Sequence, residues 1–100
     1  MTRDEALAIL KQHAPELRRL GVVGASLFGS TARDEATDGS DVDVAVKLDD
    51  QVRGLYAFGA LDRVKARLAE VMHANVDVVP EPSEPGPLKT AIDRDRCVAF

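Results

Sequence analysis

The run Leu27-Phe28-Gly29-Ser30-Thr31-Ala32-Arg33, followed shortly by Gly39-Ser40-Asp41-Val42-Asp43-Val44, decides the fold. Val22 to Phe28 is short, largely apolar and bounded by Gly21 and Gly29. It predicts a strand buried on both faces or nearly so. Asp41 to Leu48 alternates: Val42, Val44 and Val46 face one side, and Asp41, Asp43 and Ala45 face the other. That is a strand with a valine core face and an acidic opposite face. Between the two strands, Thr31 to Ala36 is expected to make a helical turn or two, and Asp38-Gly39-Ser40 a tight turn.

Upstream, Thr2 and Glu5 have the spacing of a capping box, and Leu7 and Leu10 fall at helical spacing behind it. Pro15 either ends this first helix or opens a second short one over Glu16 to Leu20, with Gly21 as a stop. Downstream, Asp49-Asp50 closes the second strand. Apolar residues at 55, 58, 61, 64, 68, 71 and 72 predict an amphipathic helix from Arg53 to His73. At 3.6 residues per turn this helix makes about five turns. Val76 to Val79 is a third strand, stopped by Pro80. Residues 80 to 87 hold four prolines and form a stiff connection. A last helix is expected over Pro87 to Arg94, and a short edge strand within Cys97 to Phe100.

A chain of 100 residues predicts a single domain over residues 1–100, with 45% hydrophobic residues for one core. The net charge of -4 argues against a nonspecific phosphate-backbone binder, so no direct nucleic-acid partner is expected. One cysteine, Cys97, excludes an intrachain disulfide framework and fits a reducing compartment, which makes the cytoplasm the expected location. No apolar run approaches the ~20 residues of a membrane span. The polar, mixed-charge stretch from Thr2 to Glu5 is unlike a signal peptide.

The chemistry lies in the acidic pair. Asp41 and Asp43 leave one face of their strand ~6.6 Å apart, and unpaired carboxylates that close repel each other. A hard divalent cation relieves that repulsion, and carboxylate oxygens suit magnesium. The strand–helix–strand crossover makes strands 42–48 and 76–79 parallel, so both start at one edge of the sheet. Asp77, flanked by the oppositely facing Val76 and Val78, joins the acidic pair there. If strand 22–28 runs antiparallel to 42–48, its end brings Gly29-Ser30 to the same edge. Three carboxylates can hold two magnesium ions ~3.5–4 Å apart. Gly29 permits close approach to a ligand, and Ser30 adds a hydroxyl donor beside the first N–H groups of a helix. A phosphate turn beside a magnesium site describes a nucleoside triphosphate site, whose natural reaction is nucleotidyl transfer with pyrophosphate leaving.

Gly29-Ser30, ten intervening residues and then Asp41-Val42-Asp43 resemble the signature of the DNA polymerase β-like nucleotidyltransferase superfamily. Phe28-Gly29-Ser30-Thr31-Ala32-Arg33 and Ser40-Asp41-Val42-Asp43-Val44, with Asp77 behind, look like its minimal nucleotidyltransferase (MNT) branch. The resemblance covers about residues 20 to 80. It implies an α+β fold, a mixed sheet flanked by helices. It implies two magnesium ions on Asp41, Asp43 and Asp77, with Ser30 completing the catalytic set. It implies ATP bound at Gly29 and Ser30, with Arg33 and Ser40 as further nucleotide-binding candidates. Many MNT proteins are antitoxins paired with a helical HEPN ribonuclease toxin, and some transfer AMP from ATP to a tyrosine of that toxin. The implied function is therefore a magnesium-dependent protein adenylyltransferase in a hetero-oligomer with its toxin. Two positions depart from the family's Gly-Ser-Arg-Ala-Arg-Gly run: Thr31 replaces the first Arg and Asp34 the final Gly.

Simpler readings stand beside these. Arg33 either contacts phosphate or pairs with Asp34, Glu35 or Asp38 on the surface. Lys47 reads as a solvated strand residue. Gly24 to Thr31 nearly spells a P-loop but lacks its lysine, and Asp38 to Asp43 lacks the glycine and glutamate of an EF-hand. His13, His73, Cys97 and Tyr56 are assigned no chemistry. Two other functions remain open: an antitoxin that neutralises by complex formation alone, and a nucleotidyltransferase acting on a small molecule or a nucleic acid end.

Overall fold

The computed structural model describes residues 1–52, 54 and 57–100. Helix α1 (Arg3–Gln12) opens on the expected capping box: Thr2 Oγ1 accepts the Glu5 N–H at 3.1 Å, and Glu5 accepts the Thr2 N–H at 3.3 Å. Pro15 opens a second helix, α2 (Ala14–Arg19), where its missing N–H is not needed. Strand β1 (Val22–Phe28) leads into one helical turn, α3 (Gly29–Ala32). Strand β2 (Val42–Leu48) is followed by a 3₁₀ turn at Asp50–Val52 and helix α4 (Ala57–Met72). Strand β3 (Val76–Pro80), helix α5 (Pro87–Asp95) and the short strand β4 (Cys97–Val98) complete the order.

The sheet runs β3-β2-β1-β4, with β2 parallel to β3 and β1 antiparallel to both β2 and β4. This is the expected mixed sheet. One face is covered by α1, α2 and α4: Leu10, Leu17, Val64 and Leu68 pack with Leu27, Val42, Val44 and Val46. Val42, Val44 and Val46 are enclosed, each contributing about 1.5–3 kcal/mol relative to exposure. On the other face Ile92 of α5 packs against Phe28 and Ala45, with Val79 alongside. The opposite face of β2 is thus acidic only at its start, because α5 buries Ala45. Among the described residues no helix is long and apolar enough to cross a membrane.

Several local expectations are corrected. In β1 the pairing steps from Val22↔Leu48 to Gly24↔Lys47. Val23 is the extra residue of a bulge and is 55% exposed, so only Ala25 to Phe28 is buried on both faces. The turn expected over Thr31 to Ala36 starts earlier, at Gly29, and is over by Asp34, whose φ of 60° is left-handed. Asp41 lies just before β2 rather than in it. Helix α4 starts at Ala57; Gly54, at φ 74°, lies before it. Arg53, Leu55 and Tyr56 fall outside the described residues. Phe58, expected on the apolar stripe, is 79% exposed. At about 100° per residue it lies roughly 120° from the centre of the Ala60–Val64–Leu68 face.

Candidate active site

The antiparallel pairing brings the end of β1 to the start of β2, so Phe28 lies opposite Asp43. The parallel pairing sets Asp77 beside Asp43 on the next strand. Gly29, Ser30, Asp41, Asp43 and Asp77 therefore share one edge of the sheet, as the topology required. Asp43 is half-buried, and Asp41 and Asp77 are exposed.

Gly29 makes the junction possible. Its φ of 73° is left-handed, and a Cβ there would overlap Oδ2 of Asp43. The chain turns directly from strand to helix against that carboxylate. Ser30 is the second residue of α3, whose first N–H groups have no partner within the helix. Thr31, in place of the family's first Arg, is almost fully enclosed. It lines a cavity of about 290 Å³ with Glu5, Thr37, Ser40 and Met72, so this position is used for packing.

Burial pushes the Asp43 carboxyl up, and the neighbouring charges of Asp77 and then Asp41 push it further; Arg33 opposes them. A divalent cation removes that penalty. Among the described residues no group of three or more His, Cys, Asp or Glu is closed around a point where an ion could sit. Magnesium takes one or two protein carboxylates, keeps several waters and uses substrate phosphates, so an open, all-oxygen set fits it better than a cage would.

Ser40 is held by its own turn: its Oγ accepts the Thr37 N–H at 3.0 Å and lies 3.3 Å from Thr37 Oγ1. Arg33 donates from Nε to Glu35 at 3.1 Å and from Nη1 to Asp95 at 2.6 Å. These bonds, to Glu35 first, hold its proton more tightly. Glu35 was among its expected partners. Asp34 and Asp38 are not among the partners found, and Asp95, sixty-two residues away, carried no signal in the sequence. Asp34 instead accepts the Arg3 N–H at 3.1 Å, at the start of α1. Lys47 is exposed, as expected. A cleft of about 440 Å³ lies at the far ends of β2 and β3, lined by Val46, Lys47, Leu48, Ala57, Pro80 and Glu81 among others. It contains none of the three edge carboxylates.

Residues 10–99 match the family model of the nucleotidyltransferase domain. No curated sequence relative matches the chain. Among solved structures, one of a minimal nucleotidyltransferase is 26% identical, with a TM-score of 0.77 over 97% of this chain and 95% of that one. A chain of a toxin–antitoxin complex with AMP-PNP is 22% identical, with a TM-score of 0.68, covering 90% of this chain and 72% of that one. A chain from the complex of tri-AMPylated Shewanella oneidensis HEPN toxin with MNT antitoxin is 20% identical, with a TM-score of 0.63, covering 94% and 71%. The last two likenesses are of fold. The match over residues 10–99, on a sheet that carries Gly29-Ser30 and Asp43 to one edge, has a plain reading: the chain belongs to the nucleotidyltransferase domain family, with the minimal DNA polymerase β-like fold.

Proposed function

We propose that this protein is the antitoxin of a HEPN–MNT pair and acts as a magnesium-dependent protein adenylyltransferase on its toxin. The observation that carries this reading is the placement of Gly29-Ser30 directly against Asp43, with Asp77 in register beside it. A phosphate turn and a carboxylate set on one edge are what triphosphate chemistry requires. Two of the structures it resembles are toxin–antitoxin complexes, one with AMP-PNP and one with an AMPylated toxin.

Asp41, Asp43 and Asp77 are the residues that would hold magnesium. When bound, magnesium supplies charge neutralisation at the phosphates and at the leaving pyrophosphate. Gly29 and Ser30 receive the phosphates through backbone N–H groups and the Ser30 hydroxyl. A tyrosine oxygen of the partner forms the new bond to the α-phosphorus of ATP. The bond from that phosphorus to pyrophosphate breaks, and the hydroxyl proton leaves to a carboxylate of the edge or to water. The open edge leaves the acceptor to a partner chain, which makes a hetero-oligomer with the toxin the working unit.

One observation favours neutralisation by complex formation alone: the Arg33 guanidinium is already engaged by Glu35 and Asp95, and Thr31 faces a cavity. Protection of cells separates the two readings. On the adenylyltransferase reading, the Asp41→Asn, Asp43→Asn double variant fails to protect against the toxin and transfers no label from ATP. Full protection by that variant supports complex formation instead.

A further inference from the structure

Asp95 ends helix α5, remote in sequence from every motif residue. Its side chain is only 4% exposed. Buried carboxylates are costly unless paired, and this one is paired three times. It accepts from Arg33 Nη1 at 2.6 Å, from Arg94 Nε at 3.0 Å and from Arg94 Nη2 at 3.1 Å. Arg94 grips both carboxylate oxygens and fixes their direction. The bond from Arg33 crosses from α5 to the loop that follows Gly29-Ser30.

Among the described residues, that bond is the one hydrogen bond that anchors the Arg33 side chain outside its own loop. Glu35, the other partner, is two residues away and 66% exposed, so it moves with the loop. Asp95 does not: α5 is fixed by Ile92, 1% exposed, against Phe28 and Ala45 beneath the carboxylate edge. The position of Arg33 is thereby tied to the same core that positions Asp43. The two bonds use Nε and Nη1 and leave Nη2 without a partner among the described residues.

We propose that Asp95 is a positioning residue: it holds the Arg33 guanidinium beside the carboxylate edge, with its Nη2 end left for the phosphates of a nucleoside triphosphate. This rests on the reading that the edge binds such a nucleotide. Without Asp95, Arg33 is tethered only to a solvated carboxylate on its own loop and has many more positions to occupy. Binding the phosphates then carries the entropy of ordering that side chain again.

The test is calorimetric titration of AMP-PNP with magnesium into the wild type, Asp95→Asn, Arg33→Ala and the double variant. Asp95→Asn should weaken binding about tenfold, and should weaken it less than about twofold further once Arg33 is absent. Thermal melts check that each variant folds. If Asp95→Asn does not fold, Asp95→Glu takes its place; it keeps the charge, displaces it by one methylene, and should weaken binding by about threefold. Wild-type affinity in the Asp95 variant overturns the proposal. So does an equal loss in the Arg33→Ala background, which would mark a purely structural role. Absence of AMP-PNP binding to the wild type overturns the nucleotide reading itself, and the proposal with it.

Discussion

Gly29 and Asp43 are in contact across the β1–β2 edge: any Cβ on Gly29 would occupy the space of the Asp43 Oδ2. The strand end that presents Gly29-Ser30 and the strand start that presents Asp43 are thus fitted to each other. Only glycine serves there, both for its left-handed φ and for the space beside it.

Gly29→Ala meets both restrictions at once. The left-handed backbone costs about 1–2 kcal/mol for a residue with a Cβ, and relieving the overlap displaces Asp43. Denaturant melts should show a loss of about 2 kcal/mol or more. Nucleotidyl transfer should fall on the order of 100-fold, as expected when a reacting group shifts by about an ångström. Transfer at the wild-type rate would mean that Asp43 is not held by this contact.

Asp43 sets a pH dependence. Burial, Asp77 and Asp41 raise its folded pKa above the unfolded value. A raised carboxyl contributes stability in its protonated form, fully present below about pH 3.9 and lost as pH rises through the folded pKa. At neutral pH the ionised group therefore costs stability. Without divalent cations, Asp43→Asn should melt at a higher temperature than the wild type at pH 7, and the difference should close as the pH falls toward 4. Magnesium should raise the melting temperature of the wild type more than that of the variant. A variant less stable at pH 7 would contradict this account of the edge.

Asp34 occupies the position where the family has glycine, and it keeps the left-handed φ that a glycine would supply. In exchange its Oδ1 accepts the Arg3 N–H at the start of α1. Asp34→Ala should lose about 1–2 kcal/mol, since it keeps the strain and loses the acceptor. Asp34→Gly should be nearly neutral, because relief of strain offsets the lost bond. Chemical denaturation of the two variants measures the difference; equal losses would show that the backbone conformation at this position does not matter.

What was legible in the sequence is what short-range pattern encodes. Val42, Val44 and Val46 alternate, so β2 and its core face could be read directly. Asp77 could be placed from topology, because a crossover helix makes β2 and β3 parallel. What stayed hidden depends on local register or on distant contacts. The bulge at Val23 and the exposure of Phe58 follow from where pairing shifts and where α4 begins, which composition does not report. The Arg33–Asp95 pair joins residues brought together only when α5 packs on the sheet through Ile92. Of the candidate site, the turn and the carboxylates were therefore visible and the anchor of Arg33 was not.

The most direct test is the intact mass of the partner toxin after incubation with this protein, ATP and magnesium. The account predicts a gain of one or more AMP units, absent without magnesium and absent with the Asp41→Asn, Asp43→Asn variant. A partner that binds this protein and is neutralised by it at unchanged mass would contradict the claim that the Gly29–Asp43 edge transfers nucleotide to it.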